Sequence, residues 1–450
     1  MGKLFGTDGI RGVANKYPIT CEMATNIGRA VAYLFSAETG RSKIIIGKDT
    51  RISGDMIESA LVSGICSMGV DAVLAGVLPT PGIAFITSSL DANAGIVISA
   101  SHNPFCDNGI KIFNQKGFKL SVETEEEIEH LVLNDNTGLM CSSIRNTGRA
   151  IKIDDSHKNY INFLKIALPD GFSLNGMKIA MDCANGATYQ VAPKLFKELG
   201  ADVESICIEP NGKNINESCG SQHPEILIEI VLKKKADIGL AFDGDGDRLI
   251  AIDEKGNVTT GDQILAVCAN ILKQQDKLEN NLVISTVMSN LGLKTALNNM
   301  NIEHRMTDVG DRYVMEQMIS SGSVLGGEDS GHTIFLDHQT TGDGILTALK
   351  LIESMKFASK PLSELKKVMT VFPQSLINVE VKSKPKISAL TDVKETIESV
   401  ERNLGEKGRV LVRYSGTQPI CRVMVEGPTE EKTQRYCKQL SDIIQKEIGA

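Results

Sequence analysis

The chain has 450 residues, of which 42% are hydrophobic, 23% charged and only 4% aromatic. A single core stops growing at about 250–300 residues, and about 150 residues per domain is typical, so the length calls for roughly three domains. A formal charge of −8 excludes a general binder of nucleic acid or anionic membrane, either of which would need a basic stripe. An anionic ligand must therefore be attracted by local clusters of charge. Ten cysteines are scattered without a C-x-x-C, which points to free thiols in a reducing cytosol rather than zinc ribbons or a disulfide framework. The start, "MGKLFGTDGI", lacks a signal-peptide core, and Gly6 stands where myristoylation needs Ser or Thr. No apolar run approaches the about 18 residues of a membrane span. A soluble, cytoplasmic protein is expected, with no nucleic-acid or membrane partner.

Taken along the chain, one pattern recurs three times. The first copy runs "KIIIGKDTRISG", then "DMIESALVSGICSMGVDAVLAG" and "VLPTP". The second is "GMKIAMDCANGATYQVAPKLFKELGADVESICIEPNG", and the third "NLVISTVMSNLGLKTALNNMNIEHRMTDVGDRYV". Each opens on a short apolar, β-branched run, as a buried strand does. A polar turn follows, then a helix with apolar residues three or four apart, such as Ile57, Leu61, Ile65 and Met68. Two copies end that helix at Gly-(Val/Ala)-Asp, a glycine stop before the next strand. Strand–helix–strand units require crossovers and imply largely parallel strands covered by helices. Copies spaced by more than 100 residues mean related domains in series, not a short-period solenoid. The tail differs: "SLINVEVKSK", "RVLVRYSG" and "CRVMVEGP" read as antiparallel strands among charged helices. The expected architecture is α/β, with three similar mixed-sheet domains over 1–155, 156–255 and 256–370. A smaller α+β domain covers 371–450.

Four polar stretches interrupt this frame. "AGIVISASHNPFCDNGIKIF" places Ser99, Ser101 and His102 just after an apolar strand, a corner suited to an exposed nucleophile or to a loop that satisfies its own backbone. The glycines of G-x-S-x-G are missing, which argues against acyl transfer. "LAFDGDGDRLIAI" places Asp243, Asp245 and Asp247 at alternate positions. Fully extended, they would point the same way, and the glycines let the backbone wrap around a small ion. Three carboxylates so close repel unless a cation compensates, and oxygen ligands with incomplete coordination suit Mg²⁺. An EF-hand is the alternative, with Glu254 at its twelfth position. Arg248 occupies the place of its turn glycine, however, and the flanks read as strands. "GGEDSGHTIF" sets Glu328, Ser330 and His332 on a glycine-rich turn, a trio suited to sugar hydroxyls or an amine. "RVLVRYSGTQPICRV" gathers Arg413, Ser415, Gly416, Thr417 and Arg422 around a tight loop, a natural phosphate cradle.

In order along the chain, "LFGTDGIRG" at 4–12, "SASHNP" at 99–104, "DGDGDR" at 243–248, "GEDSGH" at 327–332 and "RYSGTQP" at 413–419 resemble the α-D-phosphohexomutase superfamily. The opening "KLFGTDGIRGVAN" and the stretch "FLDHQTTGDGILTAL" lean towards its glucosamine branch. The resemblance implies four domains around a central cleft and interconversion of glucosamine 6-phosphate and glucosamine 1-phosphate. It makes Ser101 the phosphoryl carrier, with Mg²⁺ held by Asp243, Asp245, Asp247 and the phosphate on Ser101. Glu328 and Ser330 would contact sugar oxygens, and Arg413, Ser415, Gly416, Thr417 and Arg422 would grip the phosphate that stays. Arg11, Lys111, His102, Arg248 and His332 would line the reacting centre. A sugar bisphosphate such as glucosamine 1,6-bisphosphate would be primer and intermediate. A homodimer and a first loading of Ser101 by an activating kinase or by autophosphorylation are also implied. Alternatives are a phosphomannomutase or phosphoglucomutase of the same superfamily, or an idle sugar-phosphate sensor. Asp329 replaces the family's glutamine, and Tyr414 and Gln418 replace its proline and glutamate.

Overall fold

A computed structural model of the chain describes residues 4–36, 41–134, 146–415 and 419–450. The chain divides into two compact units, Met1–Met288 with Ile302–Lys367, and Ser289–Asn301 with Val368–Ala450. The first unit holds three mixed sheets built to one plan. In the first, parallel strands Asp71–Val77, Lys43–Lys48 and Ala94–Ile98 lie side by side, and Asp107–Asn114 returns antiparallel beside the last. The second repeats that order with Asp202–Ile206, Lys178–Asp182, Ile238–Phe242 and the returning Leu249–Asp253. The third does so with Glu303–Thr307, Leu282–Thr286, Leu325–Gly327 and Thr333–Phe335. Short extra strands extend two of these sheets: Ile10–Val13 and Ala150–Lys152 flank the first, and Val258–Thr259 the second.

The repeats seen in the sequence are thus repeats in space. Ile44, Ile45 and Ile46 are fully buried in succession, as strands covered on both faces must be. The helix Gly54–Ser67 turns Ile57, Leu61 and Ile65 into the core with Ile27, Ile96 and Ile110. Met68 is its C-cap residue and is only partly buried. Gly69 and Gly200, the expected stops, both have left-handed backbone.

The shared plan places the polar stretches alike in the three sheets. In each sheet the turn between the third strand and its antiparallel return carries one of the polar stretches. These turns are residues 99–106, 243–248 and 328–332. Ser101, the three aspartates and His332 therefore occupy equivalent corners of three related sheets.

The second unit is a three-stranded antiparallel sheet, with Ile420–Glu426 between Gln374–Glu380 and Arg409–Tyr414. Helices Thr391–Leu404 and Glu430–Ile448 bury Val393, Val400, Leu440 and Ile444 against Val379, Val423 and Val425. This is the expected α+β element. The helix Leu291–Asn299 also belongs to it, its first amide donating to Glu426 Oε2 at 2.8 Å. No helix among the described residues is long and apolar enough to cross a membrane.

Candidate active site

Ser101 is fully buried, not exposed as its corner position suggests, because the turn 243–248 packs against it, and it holds a left-handed conformation, φ +52°. For a residue with a side chain that costs on the order of 1–3 kcal/mol, so the surroundings must enforce it. They do: its amide donates to Ser99 Oγ at 2.9 Å, and Ser99 Oγ donates to Asp49 Oδ2 at 2.5 Å. Arg51, ion-paired with Asp49 at 2.8 Å, donates to the carbonyls of Ser101, Asn103 and Asp107. Asn216 donates to the Ser101 and Asn103 carbonyls at 2.8 and 3.0 Å. Held this way, Ser101 Oγ donates to Asp243 Oδ2 at 2.7 Å, with His102 Nδ1 3.2 Å away. Burial, aided by the charges of Arg248 and Arg11, pulls the His102 pKa down to about 4, so this ring is neutral near pH 7.

The aspartates converge by wrapping, not by strand alternation. Residues 243–248 form a turn between two strands, and carboxylate oxygens of Asp243, Asp245 and Asp247 lie within 4.8 Å of one another. Gly244 is required because a Cβ there would lie 2.5 Å from the Ser101 carbonyl, so two turns touch backbone to backbone. Gly246 supplies a left-handed step, φ +72°. Burial and its two aspartate neighbours push the Asp243 carboxyl well up. Burial also opposes the charge on Asp247, but Lys111, His332 and Arg248 outweigh it and hold that carboxyl well down.

Lys111, on the returning strand of the first sheet, is 2% exposed. Its Nζ lies 2.8 Å from Asp245, 3.4 Å from Asp247 and 3.3 Å from Asp8. Burial works against its charge, yet these carboxylates hold its pKa well above the ordinary lysine value. One ammonium does not use up the site. Asp245 Oδ1 and Asp247 Oδ1 are both buried without a hydrogen-bond donor, a cost that buried carboxylate oxygens bear only when a cation answers them. The triplet therefore fits a hard divalent ion, with Ser101 Oγ beside it to complete the shell.

The third turn closes the arrangement. His332 is 2% exposed, its Nδ1 3.7 Å from Asp247 and its Nε2 3.5 Å from Asp311. The Gly342 amide donates to Nε2 at 3.1 Å, so in the neutral ring the proton sits on Nδ1, facing Asp247. Burial opposes a charged ring, but Asp247, Asp311 and Glu328 raise its pKa. Glu328 accepts from the Gly310 amide at 3.2 Å, and burial raises its pKa. Ser330 is exposed at the tip of the turn. Arg248 Nε lies 3.7 Å from Asp247, and Arg11 is ion-paired with Asp8 and donates to Asn103 Oδ1 at 3.4 Å. Asp329 has its own structural occupation, its Oδ1 accepting from the Asp262 amide in the first turn of the helix Gly261–Gln274.

In the second unit, Arg413 and Arg422 are directly opposed on neighbouring strands. Like charges facing across a ladder repel, and Arg422 Nε is buried without a hydrogen-bond partner. The Ser415 amide donates to the Ile420 carbonyl at 2.8 Å, and Lys384 Nζ donates to the Ser415 carbonyl at 2.6 Å. This cluster calls for an anion. Gly416 and Thr417 lie outside the described residues, as does Gln418.

Several contributors escape the motif reading. Asp49 and Arg51 stand in "KDTR", the turn between the strand Lys43–Lys48 and the helix Gly54–Ser67, which looks in sequence like any polar turn. Lys119, which bridges Asp8 at 2.7 Å and Asp311 at 2.5 Å, carries no local signal, because its partners are far away in sequence.

Family models match the chain in four consecutive segments. They are described as phosphoglucomutase/phosphomannomutase α/β/α domains I, II and III, at residues 2–138, 158–256 and 260–372, and the C-terminal domain at 376–443. A phosphoglucosamine mutase of Syntrophus aciditrophicus is 61% identical over 100% of both chains, and one of Syntrophobacter fumaroxidans 60% identical over the same span. Among solved structures, a phosphoglucomutase/phosphomannomutase family protein of Burkholderia thailandensis superposes with a TM-score of 0.81 at 23% identity, covering 99% of each chain. The N-acetylphosphoglucosamine mutase of Aspergillus fumigatus, solved with GlcNAc-6P and magnesium, gives 0.67 at 15% identity, covering 98% of this chain and 95% of that one.

Proposed function

This chain belongs to the phosphoglucomutase/phosphomannomutase family, and from that premise we propose that it is a phosphoglucosamine mutase. It interconverts glucosamine 6-phosphate and glucosamine 1-phosphate through phosphorylated Ser101, in the cytoplasm, as a step towards amino-sugar nucleotides. One observation carries the reading: a strained serine corner directs its hydroxyl at a buried triplet of carboxylates that still has two oxygens without donors. Full-length likeness to phosphoglucosamine mutases at 61% and 60% identity supports the choice of sugar.

The reaction moves a phosphoryl group from Ser101 to the free hydroxyl of the sugar phosphate, giving glucosamine 1,6-bisphosphate. After that intermediate turns around, its other phosphate returns to Ser101. Transfer of this kind needs in-line placement and charge neutralisation more than covalent novelty. Placement falls to Arg51 and Asn216, which hold the serine carbonyl, and to Ser99, which holds its amide. Neutralisation falls to Lys111, Arg11 and Arg248, while the His102 ring, 3.2 Å from Oγ, stays uncharged and adds nothing to the field. Asp243, Asp245 and Asp247 would hold Mg²⁺, as the magnesium complex of the Aspergillus enzyme supports; once bound, it acts as a Lewis acid on the phosphoryl oxygens. Glu328 and Ser330 receive the sugar hydroxyls. Arg413, Ser415, Gly416, Thr417 and Arg422 take the phosphate that is not moving, recognising it without reading the ring. Either a kinase or autophosphorylation supplies the first phosphate on Ser101, and the chain pairs as a homodimer.

The test is a comparison of kcat/KM on glucosamine, mannose and glucose 6-phosphates, primed with a sugar bisphosphate. Preference for the glucosamine substrate by about tenfold or more is expected. Equal or better use of mannose or glucose phosphate would reassign the substrate, and release of free phosphate in step with consumption would make the protein a phosphatase.

A further inference from the structure

The described residues contain a second cluster of metal-ligating side chains, separate from the aspartate triplet. Asp182 ends the first parallel strand of the second sheet, Cys207 follows the strand Asp202–Ile206, and Cys219 precedes a short 3-10 turn at Gly220–Gln222. One ligand atom from each lies within 4.8 Å of the other two. Asp182 is fully buried and Cys219 is 2% exposed, while Cys207 is partly accessible. Both thiols are free. The Asp182 oxygens accept from the Ala184 and Gly220 amides, each at 2.8 Å, and from the Cys207 thiol, and no lysine, arginine or histidine among the described residues forms an ion pair with this carboxylate. A buried carboxylate in that position is ordinarily paired or bound to metal.

We infer that Asp182, Cys207 and Cys219 form a binding site for a thiophilic divalent cation of the Zn²⁺ class. Two sulfurs and one carboxylate are a donor set that soft or borderline ions prefer, whereas the all-oxygen triplet prefers Mg²⁺. The two thiol protons pass to solvent as the cation enters. Water would supply the fourth ligand of a tetrahedral shell.

The site would staple the loop it closes. Between Cys207 and Cys219 lies Asn216, whose side-chain amide donates to the Ser101 and Asn103 carbonyls and whose own amide donates to the Ala184 carbonyl, two residues beyond Asp182. A cation bridging the strand ends to Cys219 thus fixes the loop that braces the serine corner. The inference stands on this cluster alone and is independent of which sugar the protein uses.

Cd²⁺ serves as the probe, titrated into reduced protein carrying Cys106→Ser, which removes an exposed thiol, with Mg²⁺ saturating to keep the triplet occupied. The expected result is one Cd²⁺ per chain, an ultraviolet thiolate-to-metal band that excess Zn²⁺ abolishes, and slower amide exchange at Ile215 and Asn216. Cys207→Ser should remove the band. Asp182→Asn should keep it while weakening binding by about tenfold or more; Cys207→Ser still decides the matter if that variant fails to fold. A band that persists unchanged in Cys207→Ser, or the absence of any band in the parent protein, would overturn the site.

Discussion

Lys111 is a buried cation shared among Asp8, Asp245 and Asp247, and its sign makes an unusual pair of effects testable. Its ammonium neutralises charge where phosphate oxygens are proposed to pass, so Lys111→Met should slow turnover by about 100-fold or more, the scale for a lost electrostatic stabiliser. The same ammonium repels a divalent ion in the triplet, so the variant should bind Mg²⁺ more tightly. Calorimetric titration with Mg²⁺ beside steady-state rates checks both, and weaker Mg²⁺ binding in the variant would contradict the charge assignment. At this scale the sequence was informative for groups that sit close together along the chain. Asp243, Asp245 and Asp247 stand out by spacing, whereas the corner at Ser101 reads equally as a loop satisfying its own backbone, and its role came from the resemblance. Arg51 did not, because an arginine that braces a loop through four backbone carbonyls looks in sequence like any turn arginine.

Among elements, the helix Gly344–Ala358 begins at Asp343, whose Oδ1 accepts from the Leu346 amide at 2.9 Å. Its Oδ2 accepts from Tyr160 on the helix Ser156–Ile166 at 2.7 Å, joining helices of the second and third repeats. Burial raises the Asp343 pKa from 3.8 to about 6, against the pull of these hydrogen bonds. The folded state therefore holds the proton more tightly than the unfolded chain. That contribution to stability is complete below about pH 4 and is lost as pH rises through 6. A shift of this size corresponds to roughly 3 kcal/mol. Asp343→Asn, which does not titrate, should lack this component: its stability relative to wild type should improve between pH 4 and 7 by up to that amount in denaturant melts. A parallel pH dependence in both proteins would show that Asp343 is charged throughout. Neither helix was singled out by the sequence pattern, and an N-terminal aspartate does not disclose that a tyrosine from another repeat shares it.

On the scale of the molecule, three copies of one sheet place three unlike turns at equivalent corners, and the chemistry comes from their meeting. The repeats were legible because each reuses the same alternation of apolar strand, polar turn and amphipathic helix. The antiparallel fourth strand was less so, being short in the third copy, Thr333–Phe335. What sequence could not supply was the charge network that joins first and third repeats: Lys119 between Asp8 and Asp311, with side chains 15%, 25% and 14% exposed. Lys119→Met would leave both carboxylates without that partner and should cost about 3 kcal/mol, the order seen when one member of a buried pair is removed. Chemical denaturation measures this, and a loss below about 1 kcal/mol would mean the bridge is solvent-screened.

The central claim is that Ser101 carries the phosphoryl group. Purified protein is incubated with glucosamine 1,6-bisphosphate and Mg²⁺, digested, and the modified residue located by peptide mass spectrometry in wild type and Ser101→Ala. The account predicts phosphate on Ser101 in wild type, none anywhere in the variant, and no mutase turnover from it. Phosphate found on His102 instead, or turnover retained by Ser101→Ala, would contradict it.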